Sequence, residues 1–291
     1  MEETHIPRNV VITAAGAGTR LLPMTKELPK EMLPIYAKEN DNVMIKPLLQ
    51  ALFEQFYACG ARDFCVIVGR GKRAIEDHFT VDQAYMDRME DKLKPHIFSN
   101  LESFYGKVTE SRMVWINQHA PKGFGHAVLL SEEIEDDMPF FVAAADNLIL
   151  SKGASFQERM AKAMATSNAE VAILVREVED PRAYGVVSGE DKGTYLEIEE
   201  MEEKPKEPKS NFAAMGFYIF NKSIFDALKR VKPGYGGEIQ LTDAIVLLIK
   251  EGKKVIGVKM DNDEIMLDVG TPENYARAIK KSYENCSGNR L

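Results

Sequence analysis

Val10-Val11-Ile12-Thr13-Ala14 runs straight into Ala15-Gly16-Ala17-Gly18-Thr19-Arg20, and this junction decides the fold class. A short β-branched apolar run bounded by glycines reads as a strand buried on both faces. The glycines that follow lack a Cβ, so backbone N–H groups there can approach a phosphate or a base. On Gly16-Ala17-Gly18 alone, a tight turn with no ligand is an equal reading. Two common nucleotide motifs fail at this point. A dinucleotide fingerprint needs a third glycine where Leu21 stands, and Pro23 interrupts the helix start. A Walker loop needs Gly-Lys-Ser/Thr after its variable residues, and none follows.

Outward from the junction, strand and helix patterns alternate. Residues 46–59 carry apolar side chains at the helical period, and Gly60 closes that helix. Residues 63–69 read as a second buried strand and 70–79 as a short helix. Residues 82–104 are charged and helical in period, with Met86, Met89 and Leu93 as a thin apolar stripe suited to the chain's own core or to a partner subunit. Residues 113–117 read as a strand, 125–133 as a helix, and 140–145 as a strand ending in Asp146. This alternation predicts an α/β fold, a Rossmann-like, mainly parallel sheet flanked by helices. Beyond about residue 170 short strands (169–175, 185–188, 196–201, 213–220) follow without long helices between them, which predicts a smaller mixed or antiparallel part. A helix over 238–250, a strand over 254–259 and a terminal helix from Pro272 to Tyr283 complete the pattern.

Composition narrows the function classes. The 291 residues include 45% hydrophobic ones, enough for a full core, and carry a net charge of −8. That charge argues against a general nucleic-acid surface, which needs a basic stripe. It leaves room for a phosphorylated small substrate, because a few local cations in a cleft suffice. No apolar run approaches the roughly 18 residues needed to span a bilayer. Met1-Glu2-Glu3-Thr4-His5 has neither a basic nor an apolar leader segment, so a cytoplasmic location is expected. Cys59, Cys65 and Cys286 form no CxxC pair, and Cys59 and Cys65 read as buried thiols.

The glycine turn continues as Thr19-Arg20-Leu21-Leu22-Pro23, then Thr25-Lys26, then Pro29-Lys30-Glu31-Met32-Leu33-Pro34. Arg20 and Lys30 place two cations on an extended loop beside the turn. Pro23, Pro29 and Pro34 stiffen that loop and lower the entropy cost of holding the cations over a triphosphate. Together these strings resemble the signature of the sugar-1-phosphate nucleotidylyltransferases, G-x-G-T-R followed by P-K-x-x-L-P. The longer form, through Thr25-Lys26 to Pro34, is similar to that of the bacterial and archaeal UTP–glucose-1-phosphate uridylyltransferases. The likeness extends from about residue 8 to 280.

The resemblance implies a nucleotide-diphospho-sugar transferase fold in one domain, with a nucleotide part over about 8–150, a sugar-phosphate part over about 170–270 and a C-terminal helix over about 272–283. It implies that Ala14, Ala15, Gly16, Ala17, Gly18 and Thr19 meet the nucleotide. Within 118–128, Gln118 and Gly123 would read the pyrimidine edge, a role that suits uracil and thymine alike, and His126 reads as a helix-start residue. Asp146, at a strand's C-terminal end, and Asp268 would share Mg2+; Ala145 stands where the family usually has Pro or Gly. Glu203 would bind glucose hydroxyls and Lys204 the sugar phosphate, with Gly185 and Gly216 opening their backbone to the ring. The string 236–243 has a shape-setting role, with Glu238 and Asp243 as helix N-terminal carboxylates. Residues 37–44 form a longer connection than is usual there, read as a surface loop or a subunit contact.

The activity so implied is in-line transfer of a uridylyl group from UTP to glucose 1-phosphate, giving UDP-glucose and pyrophosphate. Arg20 and Lys30 would face the departing pyrophosphate. The same chemistry with dTTP or another hexose 1-phosphate, and a catalytically silent sugar-nucleotide-binding regulator, are the alternatives. Partners implied are these small molecules and a second or fourth copy of the chain (homodimer or homotetramer), with no nucleic acid and no membrane.

Overall fold

The structure is a computed structural model that describes residues 6–39, 41–151 and 155–288; Met1 to His5 lie outside the described residues. In chain order the strands are β1 (Asn9–Ala14), β2 (Pro34–Glu39), β3 (Asn42–Pro47), β4 (Asp63–Val68), β5 (Arg112–Asn117), β6 (Phe140–Ala144) and β7 (Asn147–Leu150). They continue with β8 (Val171–Glu177), β9 (Gly185–Asp191), β10 (Leu196–Glu203), β11 (Phe212–Phe220), β12 (Val255–Lys259) and β13 (Ile265–Asp268). The helices are α1 (Leu48–Ala58), α2 (Arg73–His78), α3 (Gln83–Met89), α4 (Pro95–Thr109) and α5 (Phe124–Leu129), then α6 (Phe156–Ser167), α7 (Ser223–Arg230), α8 (Leu241–Lys250) and α9 (Pro272–Ser287). None of the described helices is long and apolar enough to cross a membrane.

Nine strands form one sheet in the order β5-β4-β1-β6-β11-β8-β12-β10-β9. β5, β4, β1 and β6 run parallel, as the first half of the sequence predicts. β11 then enters antiparallel to both β6 and β8, β12 is parallel to β8, and β9 and β10 are antiparallel. Side chains alternate across β1: Val10, Ile12 and Ala14 enter one core and Val11 the other, which is why an unbroken apolar run is required. Phe53, Phe56 and Phe64 fill the first core, and Phe140, Phe220 and Phe225 the second, all at most 1% exposed. Each such ring contributes about 1.5–3 kcal/mol by leaving water.

Several expectations change. The 82–104 stretch is two helices, because Pro95, with its fixed φ, opens α4 and the preceding Lys94 is extended. Of the stripe, Met86 is buried in the chain's own fold, and Met89 and Leu93 are half-buried. The helix expected over 125–133 ends at Leu129, with a short 3-10 turn at Glu132–Ile134. α6 and α7 are helices not expected from the sequence. The 37–44 connection is no loop: β2 and β3 pair antiparallel from Pro34↔Pro47 to Glu39↔Asn42, with Asn40 outside the described residues. Ile35 points into the core, whereas Val43 and Ile45 of β3 are exposed and Lys46 is buried.

The pairing that matters most for the site is β13 with β7. This antiparallel pair sets Asp268 opposite Asn147, so a residue near the end of the chain returns to the C-terminal end of β6. Val269 N–H donates to the Asp146 carbonyl at 3.1 Å and tightens that junction.

Candidate active site

β1 ends at buried Ala14, and the chain leaves the sheet through Ala15, Gly16 and Ala17. The loop beyond is not extended, as the sequence suggested, but folded into 3-10 turns at Thr19–Leu21, Met24–Lys26 and Lys30–Met32. Pro23 and Pro29 immediately precede the second and third turns, where a missing N–H costs nothing. Thr25 Oγ1 donates to the Gly18 carbonyl at 2.7 Å and ties the first turn to the second. In the third turn, adjacent side chains take opposite partners. Glu31, 1% exposed, accepts from Lys72 Nζ at 2.7 Å, while Lys30 Nζ meets Asp146 Oδ2 at 2.5 Å.

This double pairing fixes Lys30. Burial would push its pKa down, but the charges of Asp146 and Glu31 and the hydrogen bond from Lys30 to Asp146 raise it above the ordinary lysine value. Burial works against the ionised Asp146, yet Lys30 holds that carboxyl below the usual range. Asp268 is treated differently. Burial pushes its carboxyl up, the Gly270 N–H donation pulls it back, and the nearby Asp146 charge raises it again. Its Oδ1 accepts from Gly270 N–H at 2.6 Å and its Oδ2 from Asn274 Nδ2. The Arg20 guanidinium lies against Gly270 and acts electrostatically on both Lys30 and Asp146. Arg20, Lys30, Asp146 and Asp268 therefore come together at the strand ends.

Beside them opens a cavity of about 490 Å³ lined by Ala15, Gly16, Ala17, Thr19, Lys30, Gln118, Gly123, Asp146 and Glu238 among others. Gln118 follows β5 and is 6% exposed. Gly123 has φ 101°, and a Cβ there would lie 2.6 Å from the Cβ of Glu238, so glycine is required on two grounds. Glu238 is thus a wall of the cavity, three residues ahead of α8; only Asp243 lies in the first turn of that helix. The helix starts later than expected because Tyr235–Gly237 makes its own turn, with Gly236 at φ 68°.

The residues expected on the sugar side form a second group. Register places Gly185 directly across from Glu203. Glu203 Oε2 accepts from Thr242 Oγ1 at 2.7 Å, and Lys204 Nζ stands 3.3 Å from Glu203 and 5.1 Å from the Tyr235 ring centroid. Gly216 sits where β11 slips register against β8, at φ 80°, and a Cβ there would come within 2.8 Å of Asn147 Nδ2. It is the point where this group touches the carboxylate end of β6. Gly185, Glu203, Lys204 and Gly216 lie outside the lining of the cavity beside Lys30 and Asp146.

Sequence reasoning missed the residues that orient these groups. Asn274 holds Asp268 and Thr242 holds Glu203, while the Glu31–Lys72 pair anchors the turn beneath Lys30. For Asn274 and Thr242 the signal available was their place just inside helix starts, three residues after Thr271 and at the second position of α8. Lys72 had no such signal. Mg2+ takes one or two carboxylates and completes its shell with phosphate and water. Asp146 and Asp268, two carboxylates close enough that the charge of Asp146 raises the Asp268 carboxyl, fit that donor set.

Ligands of open α/β sheets sit beyond the carboxyl ends of the strands. Cations and a carboxylate pair at that position make the arrangement of a phosphate-transferring enzyme. The chain belongs to the nucleotidyl transferase family, whose model matches residues 9–285. It is 34% identical over 284 residues, 96% of each chain, to a UTP–glucose-1-phosphate uridylyltransferase of Pseudomonas aeruginosa. With a protein of the same description from Bacillus subtilis it shares 35% identity over 243 residues, 82% of this chain and 79% of that one. The fold matches a crystal structure of UDP-glucose pyrophosphorylase complexed with UDP-glucose at a TM-score of 0.81 and 32% identity, over 96% of this chain and 99% of that one.

Proposed function

We propose that this chain transfers a uridylyl group from UTP to glucose 1-phosphate, forming UDP-glucose and pyrophosphate. The observation that carries the chemistry is the convergence of Lys30, Asp146 and Asp268, set by the β13–β7 register. The substrate pair rests on the likeness, over 96% of the chain, to a UTP–glucose-1-phosphate uridylyltransferase.

A phosphate oxygen of glucose 1-phosphate is already an anion, so no side chain need remove a proton from it. It attacks the α-phosphorus of UTP, a new P–O bond forms, the bond to the β-phosphate breaks, and pyrophosphate leaves. Positioning and charge neutralisation supply most of the rate in such transfers. Arg20 and Lys30 are the proposed contacts of the departing pyrophosphate, and Lys204 that of the attacking phosphate. Gln118 and Gly123 read the base, Glu203 takes glucose hydroxyls, and the backbone at Gly185 and Gly216 borders the ring. Asp146 and Asp268 would hold Mg2+, which when bound supplies positive charge at the α-phosphate. Residues of about 8–150 and 170–270 act as one domain in this reading, in a cytoplasmic homodimer or homotetramer. Light scattering tests the assembly.

The test is pyrophosphate release with Mg2+, run as a matrix of UTP, dTTP, ATP and GTP against glucose, galactose and N-acetylglucosamine 1-phosphates. UTP with glucose 1-phosphate is the expected dominant cell. A dTTP-led matrix would keep the mechanism and overturn the substrate assignment, and silence in every cell would overturn both.

A further inference from the structure

Gln118 Nε2 lies 3.1 Å from the Gly123 carbonyl oxygen and 2.9 Å from His126 Nδ1. A carbonyl only accepts, so the amide atom facing Gly123 is the nitrogen and not the oxygen. One of its two hydrogens goes to that carbonyl. The other goes to His126 Nδ1, which must then carry no proton, and the imidazole is neutral with its hydrogen on Nε2. Both amide hydrogens are used by the protein. Among the described residues no donor meets Oε1, and Gln118 lines the cavity beside Gly123.

The frame that holds this amide is itself fixed. Gly125 N–H donates to the Ile239 carbonyl at 2.9 Å, and Ile239 N–H to the Lys122 carbonyl at 2.8 Å. Only glycine fits at 123, where a Cβ would strike Glu238 and the Ile239 carbonyl oxygen. His126 rides in the first turn of α5. Burial, and then the Lys122 charge, push its imidazole below the ordinary histidine value, which favours the neutral form that the geometry requires.

We infer that His126 is a positioning residue: with the Gly123 carbonyl it locks the Gln118 amide so that only its oxygen faces the base, which selects nucleotides with a proton on N3 and rejects cytidine nucleotides. Uracil and thymine carry that proton. Cytosine presents a lone pair at N3, and two acceptors would then face each other in a half-buried site, an arrangement that costs more than a simple missing contact. The inference rests on the proposed function only in that Gln118 reads the base.

Two measurements test it. In the free wild-type protein labelled with 15N-histidine, the His126 Nδ1 resonance should be that of an unprotonated imidazole nitrogen; a protonated Nδ1 overturns the inference. In kinetics, kcat/KM is measured for UTP and CTP with glucose 1-phosphate. His126→Ala should lower the UTP:CTP ratio roughly tenfold, the scale of one lost hydrogen bond. His126→Asn, whose Oδ1 stands where Nδ1 does, should restore it. If His126→Ala lowers both nucleotides by the same factor, the residue is merely structural and the inference fails. A wild type that uses neither nucleotide would refute the uridylyltransferase reading instead, and the nitrogen spectrum would still decide the tautomer.

Discussion

Lys30 and Lys204 are both proposed to meet phosphate, yet the two sides of the cleft hold them differently. Lys30 has a side chain 14% exposed, a 2.5 Å ion pair with Asp146, and a neighbour, Glu31, that pins its turn to Lys72. Lys204 has a side chain 39% exposed, a 3.3 Å contact with Glu203, and a backbone at φ 46°. A positive φ in a lysine is a strained conformation that surrounding structure must maintain. Here the Lys204 N–H donates to the Tyr184 carbonyl at 2.9 Å and helps to do so. Lys30 is thus held by a part-buried ion pair on a pinned turn, and Lys204 by fewer and more exposed contacts. Substitutions on the two sides should separate accordingly.

The largest effect is expected where the buried pair beneath Lys30 is undercut. Lys72→Met leaves Glu31, 1% exposed, without its partner and should destabilise the fold by about 3–5 kcal/mol in urea titrations. The double variant Glu31→Leu/Lys72→Met should recover much of that loss. A single-variant cost below about 1 kcal/mol would break the contrast, since the pair would then be no better than a surface bridge. On the other side, Lys204→Ala should lower kcat/KM for glucose 1-phosphate by ~10²–10³-fold. UTP binding, measured by calorimetry, should stay unchanged. Retention of more than about a tenth of the activity would remove Lys204 from the proposed role.

A third test separates sheet stability from chemistry. Burial pushes Glu135 from 4.5 up to about 7, against the hydrogen bond from Asn9. The folded chain therefore binds the proton more tightly than the unfolded one. This favours folding below pH 4.5, and the advantage is lost as pH rises through about 7. Glu135→Gln should flatten that dependence and stabilise the fold at pH 8 by roughly 3 kcal/mol, with turnover unaltered. A wild-type stability that does not fall between pH 5 and 8 would contradict it. The smallest effect is expected for Gly123→Ala, which forces a Cβ onto Glu238 at φ 101° and should cost about 1–3 kcal/mol and raise KM for UTP but not for glucose 1-phosphate.

The same contrast governs what was legible in the sequence. β1, β4 and β6 are continuous apolar runs because both faces are buried, and such runs announce themselves. The glycine turn and Asp146 follow from those strands. β7 and β13 are four residues each and more than a hundred positions apart, so no local period could pair them or bring Asp268 to Asp146. The hairpin of β2 and β3 reads as loop because Lys38, Glu39, Asn40, Asp41 and Asn42 crowd its tip with polar residues. Gln118 could be singled out in its string, but the Nδ1 contact that orients its amide exists only once α5 brings His126 beside it.

The most direct test is the rate of UDP-glucose formation by Asp146→Asn at saturating UTP, glucose 1-phosphate and Mg2+, with thermal unfolding as a control for the fold. The convergence of Lys30, Asp146 and Asp268 predicts a loss of ~10²–10³-fold in kcat while the protein still binds UTP. A variant that is folded and turns over within about tenfold of wild type would contradict it.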